Sequence, residues 1–99
     1  MKKLSEFKGR AATDLIGHIL IGISDIFGSD ENKKAYKDGG AAALIGAALL
    51  NTPDSIVGIL AALNEVPIEK YEYTAVSLMK DAYALLTDPE LVVLFGQRS

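Results

Sequence analysis

His18 is the only histidine in the chain, and Asp14 stands one helical turn before it. A carboxylate at that spacing can orient an imidazole or charge it as a general base. The sequence sets no nucleophile beside the pair, so the plainer reading is a surface histidine on a solvated helix face. Two further carboxylate pairs, Glu69 with Glu72 and Asp88 with Glu90, have the residue types of an acid–base couple or a hard-cation site. Asp88 and Glu90 flank Pro89 at a helix start, where negative charge is favoured on electrostatic grounds alone. Glu69 and Glu72 fall in a loop and read as solvated. The glycines offer no phosphate loop, because Gly39-Gly40 is followed by three alanines without a lysine, and a helix stop explains them.

Composition narrows the choices further. There is no cysteine, hence no disulfide framework and no thiolate nucleophile, and a zinc site would have to draw on one histidine plus carboxylates. Neither a cofactor nor a metal is expected. The net charge is −3, and the local basic cluster Lys33, Lys34 and Lys37 is interleaved with Asp30, Glu31 and Asp38. That mixture suits a solvated helix and not a phosphate backbone, so nucleic acid is a poor partner. With 99 residues and 49% hydrophobic content, the chain has material for one core and a single domain over 1–99, with an N-terminal arm at 1–10 and a C-terminal helix and tail at 88–99. Lys2, Lys3, Lys8 and Arg10 ahead of an apolar stretch at 15–27 have the outline of a secretion signal. Glu6, Asp14, His18 and Asp25 interrupt it, and no small-residue cleavage pattern follows. No run reaches the length of a membrane span.

The elements that must carry any site are helical throughout. Ala12, Leu15, Ile16, Ile19, Leu20, Ile23, Ile26 and Phe27 recur at three- and four-residue steps and define one buried stripe. Gly28 is placed to end this helix in the left-handed conformation. Gly17 and Gly22 weaken it by about 1 kcal/mol each relative to alanine, which packing must offset. Ser29 or Asp30 can cap a short charged helix that Gly39-Gly40 stops. Residues 41–50, apolar nearly all round, are expected to form the central helix. Thr52-Pro53-Asp54 restarts the chain, with the threonine as cap, and Ile56, Ile59, Leu60 and Leu63 face inward. A turn containing one short helical turn, or an extended piece, spans 66–73. A helix then opens at Thr74 or Ala75, with Val76, Met79, Tyr83 and Leu86 as its stripe, widened by Leu78, Ala82 and Leu85. Thr87-Asp88-Pro89-Glu90 begins the last one, which Gly96 ends. The expected fold is all-α, a compact bundle of five to six short helices.

Small residues at i, i+4 spacing, Ala42 with Gly46, Ala43 with Ala47 and Gly58 with Ala62, let helices approach closely. Membrane helices use the same device, so a small membrane-active, holin-like protein stands as an alternative function. The most suggestive segment is Leu91-Val92-Val93-Leu94-Phe95, too apolar for one short helix to bury on a single face. It either folds back over the core or stays out as a partner site. Leu91, Val92, Leu94 and Phe95 are therefore the first protein-binding candidates. Tyr71 and Tyr73 come second, since aromatic residues in loops favour interfaces.

Several strings, among them Leu4-Ser5-Glu6-Phe7-Lys8-Gly9, Ile23-Ser24-Asp25-Ile26-Phe27-Gly28, Ile59-Leu60-Ala61-Ala62-Leu63 and Leu85-Leu86-Thr87-Asp88-Pro89-Glu90-Leu91, give the chain a further character. Over nearly its full length it resembles the small tail assembly chaperones of long-tailed phages and prophages of Gram-positive bacteria. That resemblance implies an all-helical, non-catalytic protein of the host cytoplasm. Such a protein binds the tape-measure protein, recruits tail-tube subunits, self-associates and is absent from the mature virion. Related genes often yield a longer frameshifted product as well. The family carries no catalytic residues and no fixed binding motif to transfer. A third reading, a small helical regulator of a host protein, shares the composition and differs only in its partner.

Overall fold

The three- and four-residue apolar spacing of the first segment winds it into α1 (Arg10–Phe27), and the computed structural model describes residues 3–96. Leu15, Ile19, Ile23 and Ile26 are buried along one face, while Thr13, Asp14, Gly17, His18, Ser24 and Asp25 face solvent. Leu20, expected in the stripe, lies at its edge and is half exposed. Gly28 keeps a right-handed backbone (φ −72°), so the helix does not close through a left-handed residue. It tightens instead, with the Gly28 amide donating to the Asp25 carbonyl and the Ser29 amide to that of Ile26, at 3.1 and 3.3 Å.

The charged and alanine-rich segments form α2 (Asp30–Asn51), which meets α1 at 95°. Ser29 caps it, its hydroxyl accepting from the Asn32 amide. Gly40 breaks α2 with φ 77° and ψ −159°, a backbone conformation essentially reserved for glycine. The expected stop at Gly39-Gly40 is therefore a sharp break after which helix resumes at once. In the second half Leu44, Ile45 and Ala48 turn inward, while Ala42, Gly46 and Leu50 follow one another at four-residue steps on the solvent side.

Residues 41–50 are consequently not the central helix. That place belongs to α3 (Pro53–Leu63), which packs most extensively against α1 and next against α2. Ile56, Val57, Ile59, Leu60, Ala61 and Leu63 are all buried, a distribution around the axis that only a helix covered on several sides shows. Large branched residues outcompete alanine for this position because each removes more apolar surface from water. Gly22 explains how closely α1 approaches: a Cβ there would stand 2.7 Å from Ile59 Cγ1. Gly17 meets nothing within 4 Å and has no such duty.

Asn32 is the one buried polar side chain of this core among the described residues. Its amide nitrogen donates to the Ile26 carbonyl and to Thr52 Oγ1, both at 2.9 Å, and its oxygen accepts from Asn51 Nδ2 at 3.3 Å. The end of α1, the start of α2 and the α2–α3 junction are tied at one residue. Thr52 thus does not cap α3 as expected, since its hydroxyl points back to Asn32 and to the Ala48 carbonyl.

Beyond α3 a 3-10 turn (Ile68–Lys70) and an extended piece at 71–74 lead into α4 (Ala75–Thr87), opened by a reciprocal Thr74–Ser77 cap. Asp88 then starts α5 (Pro89–Gly96), its carboxylate accepting from the Glu90 amide at 3.0 Å. The α4–α5 pair leans on α2, with Leu85 and Leu91 sunk into the common core. All secondary structure among the described residues is helical, and the radius of gyration of 12.5 Å is that of a compact chain of this length, about 13 Å. Among the same residues no single helix is long and apolar enough to cross a membrane.

Candidate protein-binding surface

The loop aromatics and α4 are locked together by one carboxylate. Tyr71 is half-buried against the core, and its hydroxyl donates to Asp81, which also accepts from Asn64 Nδ2 at 3.3 Å. Burial, followed by the hydrogen bond to Asp81 and the charge of that carboxylate, pushes the Tyr71 phenol well above its ordinary range. Tyr71 is therefore a clamp between the loop and α4 more than an adhesive surface. Tyr73 is different: about half of it is exposed, and its ring lies 5.3 Å from that of Tyr71, tilted by 33°.

The clamp sets the rotation of α4. With Asp81 tied to Tyr71 and Asn64, the adjoining arc of Leu78, Ala82 and Leu85 meets the core. The opposite arc then faces water. Val76, Met79 and Tyr83, expected to be the buried stripe, are 62%, 72% and 69% exposed. Leu86, at the margin of that arc, is partly buried. Val76, Met79 and Tyr83 stand at i, i+3 and i+7, one continuous row on a straight helix, and Tyr73 precedes the row by one turn. Isolated exposed apolar residues such as Leu20, Ile21 and Leu50 are ordinary on a protein surface, but a helical row of them with Met and Tyr has the composition of an interface. Comparison with protein-family models, with curated proteins and with solved structures finds no match.

The other expected binding residues fare unequally. Leu91 is fully buried beside Leu85 and is removed from any free surface, because α5 must anchor itself on the core by at least one large residue. The side chains of Val92, Leu94 and Phe95 lie outside the described residues. Val93, in the same helix, is 56% exposed. The outward row of α4 was missed because the helix bears two apolar arcs and the larger residues lie on the outer one. The signal that separates them is Asp81, a polar residue flanking the inner arc, with Tyr71 and Asn64 within reach as partners.

The His18–Asp14 pair is also placed. The His18 Nδ1–H donates to the Asp14 backbone carbonyl at 2.7 Å, so it is the main chain, and not the Asp14 carboxylate, that orients the imidazole.

Proposed function

We propose that this chain is a non-catalytic helical binding protein of the tail-assembly-chaperone kind, acting in the cytoplasm of the host cell. It holds an apolar helical segment of a tape-measure protein against the outward face of α4, self-associates, and recruits tail-tube subunits to the complex. The observation that carries the reading is the row Val76, Met79 and Tyr83, apolar, contiguous and turned to solvent on a helix whose rotation is pinned from the other side. A helix laid along such a row reads it through its own i, i+3, i+4 and i+7 side chains. Methionine adapts to irregular partners and tyrosine supplies rigid contact area, which fits serial binding along a long, variable helix. The resemblance over nearly the whole chain supports the identity of that partner.

The test is co-expression with the tape-measure protein of the same phage. The expected outcome is more soluble tape-measure protein and a co-purifying complex, both lost in the Met79→Asp variant. Unchanged solubility and no complex refute the proposal.

A further inference from the structure

On the other side of the molecule, away from α4, a groove of about 540 Å³ lies between the start of α1 and the end of α3 and is bordered by the 3-10 turn. Its floor is apolar, built from Leu15, Ala61, Ala62 and Ile68. Small residues from two helices keep it open: Ala11 from α1, and Gly58 with Ala62, one turn apart, from α3. A surface of that kind lets another helix bring its backbone close.

The charge of the rim is one-sided. Asp14, Glu65 and Glu69 all line the groove and no lysine or arginine does, the fourth polar group being the His18 imidazole. Glu65 is held there at some conformational expense. The Val66 amide reaches the Ala61 carbonyl and the Glu65 amide that of Ala62, both at 3.1 Å, which places Glu65 at the left-handed position of the helix end, with φ 60°. Glycine is the favoured residue at that position.

We propose that this groove docks a cationic amphipathic helical segment of a partner protein, its apolar face on the floor and its lysine or arginine side chains against the acidic rim. A second copy of this chain is the poorer occupant, since it carries the same net charge of −3. The site uses α1 and α3, so it stands independently of the surface on α4.

The experiment uses the full chain and a fluorescent synthetic helical peptide with leucines along one face and lysines along both flanks, read by anisotropy. A matched peptide with glutamates in place of the lysines is the control. The lysine peptide binds and salt weakens it, whereas the glutamate peptide binds at least about tenfold more weakly, the scale of several exposed ion pairs reversed. Ala11→Trp fills the groove from an exposed position, leaving the helical circular dichroism intact and abolishing binding. Glu65→Gly weakens the lysine peptide while raising the thermal midpoint, a combination that a purely structural role for Glu65 does not produce. Absence of lysine-peptide binding, equal affinity for the two peptides, or affinity unmoved by Ala11→Trp overturns the proposal. So does a dimer in sedimentation that Ala11→Trp dissolves, which would make the occupant a second copy.

Discussion

Met79→Asp separates a surface row from a core row, because the same substitution has opposite consequences in the two cases. Met79 is 72% exposed, so about seven-tenths of its side chain is still available for burial by a partner. Complete burial of such a side chain contributes about 1.5–3 kcal/mol, which leaves about 1–2 kcal/mol for the bound state to gain. Aspartate forfeits that gain and adds an unpaired carboxylate to the contact, at a further cost of about 1–3 kcal/mol. The sum, about 3 kcal/mol, weakens the complex more than a hundredfold at about 1.4 kcal/mol per factor of ten. Folding stability changes by no more than about 1 kcal/mol, since the site is exposed and only helix propensity is affected. The assay is titration calorimetry against the tape-measure segment, paired with urea denaturation of both chains. Leu85→Ala is the counterpart: it sits on the inner arc and should cost about 2–5 kcal/mol of stability. If Met79→Asp unfolds the chain, or if the complex survives it within a few-fold, the outward arc of α4 is not the binding row.

Asn32→Ala removes three side-chain hydrogen bonds, two of them at 2.9 Å, and should lower stability by about 2–4 kcal/mol in urea denaturation. Asn32→Asp, which keeps the shape but loses the donor and buries a charge, should be worse; a wild-type midpoint for either refutes the tie. Gly17→Ala and Gly22→Ala should move stability in opposite directions. The first gains about 0.5–1 kcal/mol in open space, and the second loses about 1 kcal/mol or more as its new methyl meets the buried Ile59. Equal shifts would show that Gly22 is not the contact point of α1 and α3. Tyr71 keeps its phenolic proton in the folded chain beyond the range where the unfolded chain releases it, near pH 10. Its contribution is fully present below that range and is lost as pH rises through it, so stability should fall in alkali and the slope should flatten in Tyr71→Phe. An unchanged slope would mean that the Asp81 clamp is absent in solution.

Local backbone constraints made the element boundaries legible. Pro53 and Pro89 admit a helix only as its opening residues, Ser29 and Thr74 satisfy free amides, and Gly40 alone tolerates the angles at the break. Each of these signals acts within a few residues, so reading along the chain suffices. The rotation of α4 and the identity of the central helix were not legible in this way, because both are decided between segments. Two arcs of α4 are apolar, and the choice falls to a carboxylate bonded to Tyr71, ten residues back, and to Asn64, seventeen residues back. Asn32 is the extreme case. It sits in a run of charged residues that reads as solvated, and its burial arises only where the ends of α1 and α2 meet Thr52. Leu91 belongs with these: five apolar residues in a row specify a sticky helix, but which of them turns inward depends on how α5 meets Leu85 and the core.

The interior and the surface of this fold are satisfied to different degrees, and the difference bears on function. Among the described residues every buried side-chain nitrogen and oxygen has a partner, which marks well-matched packing. A loosely packed fold leaves errors of both kinds, orphaned polar groups inside and apolar residues outside. Here only the second kind occurs, and on α4 it is gathered into one row. The row cannot be relieved by turning α4, because Asp81 would leave Tyr71 and Asn64, and Leu85 would leave the core. Exposure of Val76, Met79 and Tyr83 is thus held in place by satisfied interactions on the opposite side of the same helix. That is the arrangement a preorganised docking surface requires, since a partner then meets the row without first having to reorder it.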